Sequence, residues 1–101
     1  MQEVQRDQTA PGAVPDRMVD IGAVLMCRGL SATSVIYREI GEGLFIEPIK
    51  LSARCSRWLE TEVSAIDSAR IAGMSDTEIR KLVNQLRARR KARGEQLMVP
   101  A

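Results

Sequence analysis

The sequence predicts a mainly α-helical domain with a small β-hairpin and a basic helix near its C-terminal end. Two observations carry this prediction: apolar residues recur at helical spacing in four separate segments, and a segment of strand character from 49 to 58 interrupts them. The length of the chain agrees with these two observations. Of the 101 residues, about 75 have the composition of a folded segment, a size at which a single core is marginal, so we expect at most one compact domain.

The two ends of the chain lack the pattern of a folded segment. Residues 1–16 combine glutamines and charges with Pro11, Gly12 and Pro15, and no apolar residues recur there, so we expect a disordered tail. A second disordered tail is expected over residues 94–101. Between the tails, residues 17–73 are predicted to form the main domain and residues 74–93 a basic amphipathic helix.

The first predicted helix runs from about Ile21 to Cys27, with Asp20 as its N-cap and Gly29 as its stop. The second begins after Ser31, a residue type that caps helices, and ends at the glycines 41 and 43. Ile36 lies on its apolar face, four residues before Ile40. The polar face of this helix holds Thr33, Ser34, Tyr37 and Arg38.

A β-hairpin is predicted to follow the second helix. Ile49 and Leu51 point to one side of a strand and Lys50 to the other, and residues 52–54 form a turn. The return strand ends at Trp58, the only tryptophan, which we expect to cover the small core.

Two more helices complete the predicted fold. The third runs from about Thr61 to Ala72 and ends at Gly73. The fourth begins with a capping box in which Ser75 and Glu78 satisfy two free backbone donors. Its apolar stripe fits either the core or a contact between protomers, and it consists of Ile79, Leu82, Val83 and Leu86. The basic extension after the stripe should fray unless an anion or another chain holds it.

Composition excludes several classes of function. Histidine is absent, and Cys27 and Cys55 are far apart without a CxxC spacing, so we expect no metal site, no disulfide and no cofactor. No glycine-rich phosphate loop is present and no cysteine has a candidate base, so an enzyme is not expected. No segment approaches the roughly 20 apolar residues of a membrane span, nor has the N-terminus a signal pattern. We expect a cytoplasmic, nucleoid-associated protein with reduced thiols.

Charge is distributed unevenly along the chain. Residues 1–78 hold 8 basic and 12 acidic side chains, whereas residues 79–101 hold 7 basic and 1 acidic. The C-terminal segment should therefore attract polyanions at long range. Nucleic acid is the commonest polyanion.

The second helix and the hairpin together predict a winged helix-turn-helix that binds double-stranded DNA. The candidate DNA-binding residues are Ser31, Thr33, Ser34, Tyr37, Arg38, Lys50, Arg54 and Arg57. The alternative to a DNA-binding module is an ordinary helical hairpin packed in a small globular domain. In that case Arg38 pairs with Glu42, Tyr37 is partly buried and Arg57 pairs with Glu47 across the hairpin.

The same stretch resembles the AlpA-like phage regulators and excisionases of the MerR-like winged helix-turn-helix group. The resemblance covers about residues 17–73 and rests on the strings GLS, IYR, EGLF, PIKL and WLETEV, taken in order with Arg54. It extends loosely to SDTEIR at 75–80. The chain differs from the family in having one residue more before Ile36, and Glu39 where an apolar residue is usual.

This resemblance implies a recognition helix in the major groove that presents Tyr37 and Arg38, with Thr33 and Ser34 beside them. It also implies a wing that directs Arg54 to the adjacent backbone or minor groove. An arginine can bond a guanine in two places and so discriminate bases, whereas wing contacts to phosphates fix position on the duplex. Ile36, Ile40 and Trp58 would belong to the core.

The basic extension has three interpretations: a solvated helix end, an arm that follows phosphates, or a contact between protomers. Its candidate residues are Arg87, Arg89, Arg90, Lys91 and Arg93. A single small module buries only about 600–1,000 Å² on DNA, so we expect self-association on repeated sites.

The predicted function is sequence-specific DNA binding, as an excisionase (recombination directionality factor) of a mobile element that bends attachment-site DNA for a tyrosine recombinase (integrase). A transcriptional regulator of an integrase or transfer operon would use the same fold and contacts. An alternative of another class is a partner-binding protein, antitoxin-like or a scaffold, whose fourth helix lies in another protein's groove.

Overall fold

A computed structural model describes residues 16–97. Its elements are β1 (Met18–Val19), α1 (Ile21–Arg28), α2 (Thr33–Gly41), β2 (Ile49–Ser52), β3 (Cys55–Leu59), α3 (Glu60–Ile71) and α4 (Asp76–Leu97). The predicted fold class is confirmed: helices dominate, and a small antiparallel sheet supplies a hairpin between α2 and α3. The predicted tails at 1–15 and 98–101 lie outside the described residues.

Both termini of α1 form as predicted. The Asp20 carboxylate accepts the Ala23 N–H at 3.0 Å, which satisfies one free donor of the first turn. Gly29 ends the helix with a φ of 68°, a left-handed conformation that glycine adopts at little cost. The N–H of Leu30 then donates to the Leu25 carbonyl at 2.9 Å, so the chain turns at once toward α2.

The start of α2 differs from the prediction. Its first helical residue is Thr33 and its N-cap is Ala32, whose side chain has no oxygen to accept a backbone N–H. Ser31 is therefore not the N-cap, because it lies one residue too early in the chain. The first turn of α2 has no side-chain cap. The Val35 N–H donates to the Ala32 carbonyl at 3.3 Å.

The sheet has the strand order β1-β3-β2 and is antiparallel throughout. In the hairpin Ile49 lies opposite Arg57 and Lys50 opposite Ser56, and an irregularity follows before Ser52 meets Cys55. We call this β2–β3 hairpin the wing. Strand β1 was not predicted, because a strand of two residues is too short to show alternation.

The core joins all four helices to the segment that precedes the wing. Trp58 is fully buried as predicted, and its indole Nε1 donates to the Ile46 carbonyl at 2.9 Å. The Trp58 ring lies 6.3 Å from that of Phe45, centroid to centroid. Ile36 is also fully buried, and Ile40 packs against the core from a half-buried position.

The fourth helix packs its apolar stripe inside this core. Its capping box forms in both directions, with Ser75 N–H on Glu78 Oε1 at 2.9 Å and Glu78 N–H on Ser75 Oγ at 3.2 Å. Ile79, Val83 and Leu86 are buried, and Leu82 packs beside them. The stripe is therefore core within one chain, which settles the choice that the sequence left open.

The predicted ends of the folded part need two corrections. Asp16 belongs to the fold, because its carboxylate accepts the Thr61 hydroxyl at 2.8 Å and Arg93 Nη1 at 3.0 Å. Residues 94–97 are helical, since α4 runs to Leu97 through Gly94. A glycine inside a helix costs only about 1 kcal/mol relative to alanine, too little to stop a helix that side-chain bonds hold.

Within residues 16–97, none of the helices has the length and the apolar character needed to cross a bilayer. Cys27 and Cys55 are both free thiols.

Candidate nucleic-acid interface

The second helix divides into an inner and an outer face. Ile36, Glu39 and Ile40 lie on the inner face at i, i+3 and i+4. Ser34, Tyr37 and Arg38 repeat the same spacing on the other side, and we call them the outer face of α2. All three outer side chains are exposed.

The exposure of the outer face bears on two alternatives raised by the sequence, the burial of Tyr37 and the pairing of Arg38 with Glu42. Tyr37 is 49% exposed, so it is partly covered, but it does not belong to the core cluster. Arg38 forms no ion pair with Glu42 or with any other carboxylate of residues 16–97. Ser31 and Thr33 are also exposed, beside the uncapped start of the helix.

The wing carries the other predicted basic residues. Lys50 lies on β2 and Arg54 in the turn, and both side chains are exposed. Arg57 is half-buried, and its Nη1 donates to the Ser56 carbonyl at 2.9 Å. The alternative pairing of Arg57 with Glu47 does not form, because Glu47 binds Arg87 instead.

The basic extension differs most from its prediction. The extension is held by the chain's own carboxylates, through three arginines on successive turns of α4. Arg87 Nε binds Glu47 at 2.8 Å, and Arg93 Nη1 binds Asp16 at 3.0 Å. Between them Arg90 contacts Glu62.

The pair of Arg90 and Glu62 is the most buried of the three. Arg90 Nη2 lies 2.6 Å from Glu62 Oε1, and its Nε donates to the same carboxylate. The third nitrogen, Nη1, donates to the Glu47 carbonyl at 2.9 Å. The expectation that Arg90 contacts DNA phosphate or a second protomer is thus corrected, because its donors are already bound inside the fold.

The extension still offers two exposed basic residues that are free within the described chain. Arg89 and Lys91 form no ion pair with residues 16–97. Arg87 and Arg93 keep part of their surface in solvent, with side chains 38% and 62% exposed. The positive charge of the extension is therefore partly neutralised by carboxylates of the same chain.

Sequence reasoning missed a second arginine site, at the end of α1. Arg28 Nη1 binds Glu39 Oε1 at 2.9 Å, and Arg28 Nε binds Asp67 Oδ1 at 3.1 Å. The guanidinium carbon also lies 4.8 Å from the centre of the Phe45 ring. The only sequence signal was Glu39 itself, a charged residue at a position of the inner face.

Arg80 was not singled out by the sequence analysis either. Its Nε donates at 2.8 Å to the carbonyl of Glu42, the C-cap of α2. A cation at a helix C-terminus is favourable because the last carbonyls carry partial negative charge. The fourth helix therefore supports the end of the second.

Two carboxylates at these sites have shifted pKa values. Burial alone would raise the pKa of Glu47, but hydrogen bonds from Arg87 and from backbone, with the charges of Arg87 and Arg90, lower it below 4.5. The pKa of Asp67 is raised above 3.8, chiefly by burial and further by Glu39, although Arg28 opposes the shift. Both carboxylates form ion pairs with arginines, Glu47 with Arg87 and Asp67 with Arg28.

Comparisons of the chain with protein families, with curated proteins and with solved structures gave no match.

Proposed function

We propose that this protein binds double-stranded DNA in a sequence-specific manner through the outer face of α2 and the wing. One contrast carries the proposal. Within residues 16–97, all four basic side chains of α2 and the wing lack a carboxylate partner, as do Arg80, Lys81, Arg89 and Lys91 of α4, whereas the six other arginines each pair with at least one. The four of α2 and the wing are Arg38, Lys50, Arg54 and Arg57.

The two elements suit different parts of a duplex. Arg38 and Tyr37 stand on a rigid helix, and a helix of this kind fits the major groove, where an arginine distinguishes guanine from other bases. Lys50 and Arg54 lie on a two-stranded ribbon, whose cations fix position by binding phosphates. The start of α2, which has no side-chain cap, favours an anionic oxygen nearby, as a phosphate would supply.

We further propose that the binding is architectural, as in an excisionase (recombination directionality factor) acting for a tyrosine recombinase. The resemblance of residues 17–73 to AlpA-like regulators and excisionases supports this role. Bending 20–30 base pairs costs on the order of 1–6 kcal/mol, which contacts from neighbouring protomers and from the recombinase would offset.

The apolar stripe of α4 weighs against a partner-binding protein of the antitoxin or scaffold type. That function would need Ile79, Val83 and Leu86 to enter another protein's groove, but all three are buried in their own chain. A partner would have to use a different surface.

Footprinting on DNA from the element that encodes the protein would test the proposal. We expect protection of closely spaced repeats at an attachment site, with affinity that falls steeply as salt rises. Protection at a promoter alone would assign the protein to transcriptional regulation of an integrase or transfer operon. If no duplex were protected at low salt, the DNA-binding proposal itself would be wrong.

A further inference from the structure

Three helices meet at one guanidinium group. Arg28 ends α1, and it reaches Glu39 in the last turn of α2 and Asp67 in the middle of α3. The side chains of Arg28 and Glu39 are only 11% and 17% exposed. A charge buried to this degree is costly unless it is paired. Any movement of α1, α2 or α3 that breaks these contacts is therefore unfavourable.

Two other constraints act on α2. Arg80 Nε donates to the Glu42 carbonyl at the C-cap of the helix. On the inner face, Ile36 is buried and Ile40 is half-buried. Apolar packing of this extent resists separation, but it is not directional and leaves some freedom for a short helix to tilt or turn. A guanidinium is planar, and its donors point in fixed directions, so its bond to Glu39 specifies an orientation.

Orientation matters because the opposite side of the helix carries the proposed base contacts. Arg38 is the direct neighbour of Glu39 and belongs to the outer face. Contacts that distinguish bases must be held within roughly 0.5 Å and 10–20° of their productive geometry. A small rotation at Glu39 therefore moves Arg38 out of hydrogen-bonding range.

We propose that Arg28 and Glu39 are positioning residues, which hold α2 at the angle its outer face needs to distinguish one DNA sequence from another. The inference rests on the proposed DNA binding and adds a determinant of specificity that does not touch DNA. The inference also gives a reason for the carboxylate of Glu39 on the inner face of α2. An apolar side chain at this position would pack against the core, but it would fix the angle of the helix less precisely than the bond to Arg28 does.

Glu39→Leu is the most informative variant. It removes the bond between α1 and α2 but leaves Asp67 to neutralise Arg28, so the variant should fold. Glu39→Gln keeps an oxygen that can accept from Arg28 Nη1 and should restore most of the function. Glu42→Leu is the matched control, because it removes the same charge from the same end of α2, where the Glu42 side chain is exposed.

The readout is the ratio of Kd values for a scrambled and a selected duplex, with the selected site taken from a random pool by the wild-type protein. We expect Glu39→Leu to lower this ratio about tenfold, a loss comparable to one base contact. Affinity for the scrambled duplex should change by the same factor in Glu39→Leu and Glu42→Leu. An equal ratio in these two variants would overturn the inference.

A measurement without DNA separates this inference from the proposed function. Residual dipolar couplings of backbone amides report the angle between α2 and α3 in the free protein. We expect the angle to change in Glu39→Leu and to be kept in Glu39→Gln and Glu42→Leu. An unchanged angle in Glu39→Leu overturns the positioning role, whereas a wild-type protein without sequence preference overturns the proposed function.

Discussion

Arg90 and Glu62 form an ion pair in which two guanidinium nitrogens share one carboxylate, at distances from 2.6 to 3.2 Å. Only 7% of the Glu62 side chain and 18% of the Arg90 side chain are exposed. The pair fastens the C-terminal half of α4 to the start of α3, and the remaining donor of Arg90 fastens it to the segment before the wing. Arg90, although it lies in a run of basic residues, thus stabilises the fold.

Arg90→Ala should destabilise the protein by about 3–5 kcal/mol, because it leaves the Glu62 charge buried without a partner. Chemical unfolding followed by circular dichroism measures the change. Arg89→Ala is the matched control, since this exposed neighbour should shift the free energy of unfolding by no more than about 0.5 kcal/mol. Equal stabilities of the two variants would show that the pair does not form in solution.

Arg38→Ala and Arg54→Ala should affect DNA binding in different ways. We expect Arg38→Ala to lose about 1–3 kcal/mol of preference for the selected sequence, because a base contact is removed. Arg54→Ala should weaken every duplex alike and reduce the slope of log K against log salt by about one. Each variant is the other's control in a fluorescence titration, and an Arg38→Ala protein with unchanged preference would refute the role of α2.

The double variant Arg89→Ala, Lys91→Ala tests the exposed part of the basic extension. A deletion of residues 87–101 would also remove Arg90, so it would confound binding with loss of stability. We expect the double variant to lose total affinity or cooperativity on repeated sites, with little change in site preference. Binding isotherms that match the wild type would remove the extension from the mechanism.

Glu47 should make stability depend on pH below neutrality. Because its pKa is lower in the folded chain than the 4.5 of the free side chain, Glu47 contributes stability above that value. The contribution is lost as the pH falls through the folded pKa. Glu47→Gln should therefore flatten the decline of unfolding free energy between about pH 5 and 3, as measured by denaturant unfolding at each pH.

Two glycines should respond to alanine in opposite directions. Neither Cβ would meet another atom within 4 Å, so only backbone conformation distinguishes the sites. Gly29 has a φ of 68°, and alanine there should cost about 1–2 kcal/mol. Gly94 is helical, and alanine should stabilise α4 by up to about 1 kcal/mol. Thermal unfolding of both variants provides the measurement, and a shift of the same sign in both would contradict the assignment.

The parts of the fold that the sequence predicted are those encoded by neighbouring residues. The capping box of Ser75 and Glu78 and the cap at Asp20 are local, and each formed at the expected residues. The inner position of Ile36 and the exposed position of Arg38 followed from helical spacing alone. These features need no knowledge of how distant segments meet.

Most of the parts that were missed depend on such meetings, whereas the wrong N-cap of α2, predicted at Ser31, was a local error of one residue. Arg90 and Glu62 are 28 residues apart, and Arg28 and Glu39 belong to different helices, so no periodic pattern connects either pair. In the sequence Arg90 is indistinguishable from its neighbour Arg89, although one is bound inside the fold and the other is exposed. The direction in which each points is set by the packing of α4, which the charge pattern does not encode.

The three arginine contacts of α4 also have a consequence for the order of folding. Arg87, Arg90 and Arg93 bind residues 40, 28 and 77 positions earlier in the chain. Contacts across such separations form late, because the loops they close must be ordered first. We therefore expect the last three turns of α4 to consolidate after the folding transition state. Substitutions there should accelerate unfolding and leave the folding rate nearly unchanged.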